Sequence, residues 1–233
     1  MSIRIENVEV VGLEPALRGM RNPKNSWHLS DSWYCDEDCP HVMNNTTPAD
    51  YCRDGLNAFC MGEKDHTLAM RLAKGGPVHA KYRRMIVVYA DITCHHTWWA
   101  EFDTYKVGTV RNSCSKMHKI HVKGFVKDDF SHEGIDEVSI DHPDVMEEFE
   151  RLMSRLEWLR VQFNETQEKK YWRAMIELLP MGFNIRATVM MSYEVLANIY
   201  RWRDHHKVFE WSDMCRWIET LPYSEIITGK KDE

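Results

Sequence analysis

The sequence predicts an α+β protein that is mostly helical and has a small mixed or antiparallel sheet. Apolar residues recur at steps of three and four along several segments, as on the buried face of a helix. Residues 85–93, MIVVYADIT, are instead rich in β-branched side chains, as buried strands are. A hydrophobic fraction of 43% over 233 residues is enough for one core. We therefore expect a single domain over residues 1–233, with a cysteine-bearing insertion at about 30–62.

In the first half of the chain, three further elements follow from local patterns. Residues 1–11 alternate like a strand, and residues 65–74 predict a short helix closed by Gly75. Residues 95–105 predict another helix, because Trp98, Phe102 and Tyr105 share one helical face. The segments expected to lack regular structure, from their Gly, Asn, Pro, Ser or acidic content, are 19–33, 34–62 and 131–140.

Helical periodicity dominates the second half of the chain. Residues 142–162 predict a long amphipathic helix, with Asp141 as its N-cap and Pro143 in its first turn. The remaining predicted elements are a helix at 168–179, a strand at 184–191, a helix at 193–203 and a helix at 209–220.

Composition narrows the class of protein. No apolar run approaches the ~20 residues that cross a bilayer, and the N-terminus lacks the apolar stretch of a signal peptide. We therefore expect a soluble protein of the cytoplasm, here that of a bacterial host cell, without a membrane partner.

Four of the seven cysteines lie close together in sequence and could bind a metal. Cys35, Cys39, Cys52 and Cys60 have the spacing C-x3-C-x12-C-x7-C. Structural zinc sites usually have tighter C-x2-C pairs, and a reducing compartment disfavours disulfides. Both a zinc site and ordinary reduced thiols remain open from these residues.

The basic segment, residues 104–127, is the most informative stretch of the chain. It holds six Lys or Arg and no Asp or Glu, whereas the remaining residues carry a net charge of −12. Nucleic-acid binders normally spread basic charge over a whole face or domain, so a small anion such as a phosphate suits this segment better than a duplex. The hydroxyls of Thr109 and Ser113 and the thiol of Cys114 lie between the cations. The alternative is a solvated strand and turn.

Two stretches together resemble the flavin-dependent thymidylate synthases. That family has the motif Arg-His-Arg-x-x-Ser-x-Asn-Glu-x-Ser-x-Arg-Tyr. In this chain the corresponding residues are, in order, Thr104-Tyr105-Lys106, Thr109, Arg111-Asn112, Cys114 and Lys116-Met117.

The second stretch, residues 179–203, is similar to the family's Leu-Pro turn, strand and helix. Leu179, Pro180, Leu196 and Arg203 keep the family's spacing, and Ser192 stands where the family has Asn. Trp98-Trp99, TYKVGT and SYEVL also resemble segments of uncharacterised phage and prophage proteins.

The resemblance implies a homo-oligomer, a tetramer or a dimer, in which FAD, folate and a uracil nucleotide meet at subunit interfaces. The nucleotide-binding residues implied are Arg203, Lys106, Thr109, Arg111, Cys114, Lys116 and Ser192. The cofactor-binding residues implied are His79, Thr104, Tyr105 and Lys106. The activity implied is flavin- and folate-dependent one-carbon transfer to a pyrimidine nucleotide.

Two alternatives to an enzyme stay open. One is a phage protein that binds or sequesters a nucleotide and has lost flavin, because Thr and Lys replace two Arg of the motif and remove their planar fork. The other is a structural oligomer without a small ligand. For Arg203 itself, the alternative to an anionic ligand is a salt bridge with Asp204 or Glu210.

Overall fold

The computed structural model describes residues 3–35 and 59–230, and it is helical for most of its length. The strands are β1 (Arg4–Val11), β2 (Trp33–Tyr34), β3 (Phe59–Cys60), β4 (Val87–His95), β5 (Thr109–Ser113) and β6 (Asn184–Ser192). The helices are α1 (Leu13–Arg21), α2 (Glu63–Lys74), α3 (His96–Phe102), α4 (Lys116–Lys119), α5 (Glu133–Val138), α6 (Pro143–Thr166), α7 (Lys169–Leu178), α8 (Tyr193–Arg203), α9 (Phe209–Glu219) and α10 (Glu225–Thr228). The α+β class is therefore confirmed.

Four strands form the main sheet in the order β1-β4-β6-β5, and β2 pairs antiparallel with β3. In β4 the buried side chains alternate with partly exposed ones, and β6 shows the same alternation. The strand predicted to be buried is thus buried on one face only, because its intervening residues, such as Tyr89 and Asp91, are polar.

The chain divides into two compact units. The first unit contains residues of Met1–Glu6, Asp91–Lys106 and Arg111–Val189, and the second contains residues of Asn7–Ala90, Val107–Val110 and Met190–Glu233. The single-domain organisation remains a prediction.

Each unit has its own apolar centre. In the first unit α6 and α7 enclose a cluster of buried side chains: Ile120, Phe130, Phe149, Leu156, Leu159 and Met175. Trp98 and Trp99 are also buried there, in a T-shaped pair with ring centroids 5.0 Å apart, so they are core residues. In the second unit α8 and α9 bury Leu196, Ile199 and Trp211.

Three local predictions are wrong, each for a physical reason. Residues 133–138 form helix α5 rather than a loop, because Asp136 bonds both His132 and Lys127. Helix α6 has His142, not Asp141, at its N-cap, although Pro143 does occupy the first turn. Helix α1 continues through Gly19, where a Cβ would lie 3.2 Å from the sulfur of Met85, so this glycine permits a close contact.

No helix in the described ranges combines the length and the apolar character that crossing a membrane requires. The predicted insertion cannot be compared with the structure over its central part, since residues 36–58 lie outside the described ranges.

Candidate functional site

The basic segment begins with an exposed turn that packs on the N-terminus of α8. Lys106 and Val107 are exposed, Val107 by 88%, and Gly108 has a φ of +85°. A Cβ at Gly108 would lie 3.2 Å from a methyl carbon of Val195, so both the dihedral and the contact call for glycine. The turn therefore has one side against a helix and the other open to solvent.

Two residues aligned with the family motif are engaged within the first unit. The Arg111 guanidinium lies 3.0 Å from the Asp103 carboxylate and 4.7 Å from the centroid of the Trp99 ring. The Thr104 hydroxyl donates to the carbonyl oxygen of Glu101 at 2.7 Å. Lys106 differs from Arg111, because it has no ion-pair partner among the described residues.

The following residues of the basic segment lead into α4. The exposed Cys114 donates its backbone N–H to the carbonyl oxygen of Arg186 at 2.9 Å, and its thiol lies outside the core. Lys116 begins α4, and its side chain lies outside the description. This part of the segment thus continues the pairing of β5 with β6 rather than forming an independent loop.

Helix α8 carries one predicted site residue at each end. Ser192, 7% exposed, caps the helix by accepting the N–H of Val195 at 3.3 Å. Arg203 ends the helix, with Nη1 2.8 Å from His206 Nε2 and its guanidinium 4.5 Å from the Trp211 ring centroid.

The length of α8 separates these two residues. Eleven steps of 1.5 Å place Ser192 and Arg203 ~16 Å apart along the axis. One phosphate group cannot contact both residues of the same chain. If both contact the same phosphate group, they must come from two copies of the chain.

The C-terminal half of α8 is held by a polar network. Tyr200 donates to Glu219 at 2.5 Å, and Lys230 also lies 2.7 Å from Glu219. Burial first, and then the bond to Glu219, raise the pKa of Tyr200 to about 12. This network fixes α8 against α9 and positions Arg203 at the helix end.

The residues predicted to bind a cofactor fall in different parts of the chain. His79 is exposed in the second unit, beside Gly75, whereas Thr104, Tyr105 and Lys106 belong to the first. Thr109, also in the second unit, begins β5 and is half-buried.

The cysteine cluster gives no support to the zinc prediction. Cys35 and Cys60 are buried with their sulfurs 2.7 Å apart, but Cys39 and Cys52 lie outside the described residues. Within 3–35 and 59–230, no group of three or more His, Cys, Asp or Glu could hold a metal ion.

Sequence reasoning missed several buried charged clusters of the second unit, among them those of Arg83 and Glu225. Arg83 bonds Glu194, in the first turn of α8, at 2.7 Å and the carbonyl oxygen of Ile226 at 3.1 Å. Glu225 lies 2.6 Å from His66. Nothing in the sequence distinguishes Arg83 from its exposed neighbour Arg84, so these partners could be found only from the fold.

Comparison with known proteins relates the chain to one fold. No family model and no curated protein matches it. Among solved structures, the flavin-dependent thymidylate synthase ThyX from Helicobacter pylori, complexed with FAD and dUMP, matches with a TM-score of 0.59 and 15% identity over 98% of this chain and 97% of that one. A second structure of Helicobacter pylori thymidylate synthase X with FAD and dUMP matches with a TM-score of 0.60 and 16% identity, covering 98% and 96%. This similarity establishes the fold.

Proposed function

We propose that this chain, which has the fold of the flavin-dependent thymidylate synthases, binds a pyrimidine mononucleotide at a site shared by two copies. The observation that carries the proposal is the exposed turn at 106–109. It presents Lys106, which has no ion-pair partner among the described residues. Gly108, two residues further along the turn, lies against the first turn of α8. A helix N-terminus and a lysine both favour a phosphate.

The hydroxyls near this turn suit the remaining phosphate oxygens. Thr109 follows Gly108, and the Ser192 hydroxyl would lie 3.8 Å from a Cβ at Gly108. Since Ser192 Oγ accepts the Val195 N–H, its own proton is available to donate. Thr109 and Ser192 of the second unit, with Lys106 at the start of the same turn, would thus bind the phosphate.

Arg203 enters the proposed site from a second copy. The ~16 Å length of α8 keeps it away from Ser192 of its own chain. Its guanidinium lies 4.5 Å from the centroid of the Trp211 ring, and the planar fork of an arginine matches a phosphate or a uracil carbonyl. A homo-oligomer is therefore part of the proposal.

Two residues at the motif are engaged within their own chain. Thr104 and Arg111, which correspond to positions in the family's flavin- and nucleotide-binding motif, bond Glu101 and Asp103 of their own chain. The proposal accordingly contains no flavin-dependent step, and favours a protein that binds or sequesters a nucleotide, for example during phage infection.

Flavin- and folate-dependent one-carbon transfer is the second candidate. It is favoured by the extent of the fold, since 98% of the chain aligns with structures that hold both FAD and dUMP. A yellow preparation, or binding of added FAD at tens of micromolar, would support this activity. A colourless protein that does not bind added FAD would exclude it.

Thermal shift with dUMP, dTMP, dCMP and dAMP tests nucleotide binding. A ligand at a hundred times its Kd adds ~2.7 kcal/mol, which raises the Tm by several degrees. Lys106→Ala and Arg203→Ala should each weaken binding about ten- to a hundredfold, the range for a lost charge-assisted hydrogen bond. Arg201→Ala, an exposed neighbour on the same helix, is the matched control and should keep the shift.

Mixing the two defective variants tests the shared site. In co-expressed oligomers of Lys106→Ala and Arg203→Ala chains, some sites combine an intact Lys106 with an intact Arg203 from the other copy. Binding should then return to a fraction of the sites. If mixed oligomers stay as defective as either parent, the two residues do not act across copies. If no nucleotide shifts the wild-type Tm, the proposed function is wrong.

A further inference from the structure

An apolar pocket lies in the first unit, apart from the turn described above. Its volume is about 330 Å³, near the lower end of the about 300–1,000 Å³ typical of pockets for small molecules. Three segments line it: the end of β5, the stretch from α4 to residue 129, and the start of β6. Of the residues aligned with the family motif whose side chains are described, only Cys114 lines this pocket.

The walls of the pocket are aromatic and aliphatic. Ile120 and Ile185 are buried, and the rings of Phe125 and Phe183 meet edge to face with centroids 6.3 Å apart. Both rings also contact the buried Phe130, at 6.1 and 5.5 Å. The core therefore holds these walls in place without a ligand.

Three cations and one carboxylate surround the apolar walls. Lys123 pairs with Asp129 at 3.2 Å, and Arg186 pairs with Asp91 at 2.8 Å. Lys119 has no ion-pair partner within the described ranges. Because the lining residues include only one acid, the pocket carries a surplus of positive charge.

The side-chain amide that lines the pocket is engaged. Asn184 accepts from the Ser131 hydroxyl at 3.0 Å, and its amide N–H donates to the carbonyl of Asp128 at 3.4 Å. A nucleobase or another heterocycle with several donors and acceptors would leave them unpaired against Phe and Ile, which costs free energy. An aromatic hydrocarbon body avoids this cost.

We propose that this pocket binds a small aromatic molecule that carries a single anionic group, a carboxylate or a sulfonate. The aromatic body packs between Phe125, Phe183 and the two Ile side chains, where edge-to-face contacts are favourable. The anion lies at the mouth beside Lys119. The site needs only one copy of the chain and no nucleotide, so its test is independent of the proposed function.

Fluorescence titration with 8-anilinonaphthalene-1-sulfonate tests the proposal, because this probe joins an aromatic body to one sulfonate. The folded protein should bind one probe per chain, saturably. N-phenyl-1-naphthylamine has the same aromatic body without the sulfonate and should bind more weakly. Equal affinity for the two probes would overturn the assignment of the anion.

Two substitutions locate the probe. Val122→Trp places a large side chain at an exposed lining position and should abolish binding. Val126→Trp, exposed but outside the lining, is the matched control and should retain it. Lys119→Met should weaken the sulfonate about two- to fivefold, the range of an exposed charge pair, and Lys119→Arg should not.

The same variants give the results that would overturn the proposal. If Val122→Trp binds the probe as well as Val126→Trp does, the probe lies elsewhere and the proposal is wrong. If the wild-type protein binds no probe and Val122→Trp changes the sedimentation coefficient while Val126→Trp does not, a second copy of the chain covers the pocket. That result also overturns the proposal.

Discussion

Replacing Asp65 by Asn should destabilise the protein severely. Asp65 is fully buried on α2, and one carboxylate oxygen lies 2.5 Å from the Nε of Arg21, which is 5% exposed. The other oxygen accepts from the hydroxyls of Ser30 and Ser32 at 2.6 Å each. The amide of Asn has no charge to match Arg21 and turns one acceptor into a donor that faces other donors.

The size of the effect follows from this geometry. Removing one partner of a buried ion pair leaves an uncompensated charge and costs ~3–5 kcal/mol. For a chain of this size each kcal/mol lowers the Tm by ~2–4 °C. We therefore expect a Tm lower by ~6–20 °C, together with a urea midpoint shifted at constant slope.

The pH dependence of the free energy of unfolding is a second test of the role of the Asp65 carboxylate. Burial opposes its ionisation, but the hydrogen bonds from Ser30, Ser32 and Arg21 outweigh burial and lower the pKa of Asp65 below its usual value. A lowered pKa contributes stability that is present above the unfolded pKa of ~3.9 and is lost as the pH falls through the folded pKa. Asp65→Asn should flatten the stability curve below about pH 4.

The control is Glu177→Gln, which breaks an exposed ion pair with Arg173 on α7. It should leave the Tm unchanged within error, because exposed pairs contribute little. The reasoning fails if Asp65→Asn unfolds within about 1 kcal/mol of the wild type, or if the two variants behave alike.

Two further predictions concern α8. Ser192→Ala removes the N-cap hydrogen bond to Val195 and should lower the free energy of unfolding, measured by chemical denaturation, by ~1 kcal/mol. Ser192→Asn should retain most of this stability, because Asn is also a good N-cap residue. Equal stability of the Ala variant and the wild type would show that the cap contributes nothing. The pKa of Tyr200 is raised to about 12, so the contribution of this hydroxyl to stability is complete below about pH 10 and is lost as the pH rises through about 12. In a phenolate absorbance titration, Tyr200→Phe should therefore remove a group that titrates late. A late phase that is unchanged in this variant would contradict the prediction.

The fold was predictable where local chemistry alone decides it. The predicted helix at 193–203 matches α8 because Ser192 caps its start and its apolar residues keep one face buried. Helix α5 escaped prediction because its acidic residues are stabilised by partners outside the helix, such as Lys127. Sequence periodicity does not show such partners.

In the candidate site, too, the sequence predicted local features but not contacts between distant residues. The acid-free basic segment predicted the same phosphate-binding role for Lys106 and Arg111, but of these two only Lys106 is exposed without an ion-pair partner among the described residues. Arg111 instead pairs with Asp103, eight residues earlier, because the turn at 106–109 returns the chain. The aromatic pocket could not be predicted, since Phe125 and Phe183 meet only through the packing of distant segments.

The pairing of β2 with β3 has a consequence for how this protein can vary. Trp33 faces Cys60 and Tyr34 faces Phe59, so both ends of the intervening sequence are anchored together. Doubling the length of a chain segment between two fixed ends costs only ~0.6 kcal/mol in chain entropy. Doubling the number of residues between Tyr34 and Phe59 should therefore change the free energy of unfolding by only about this amount, as long as β2 and β3 keep their pairing.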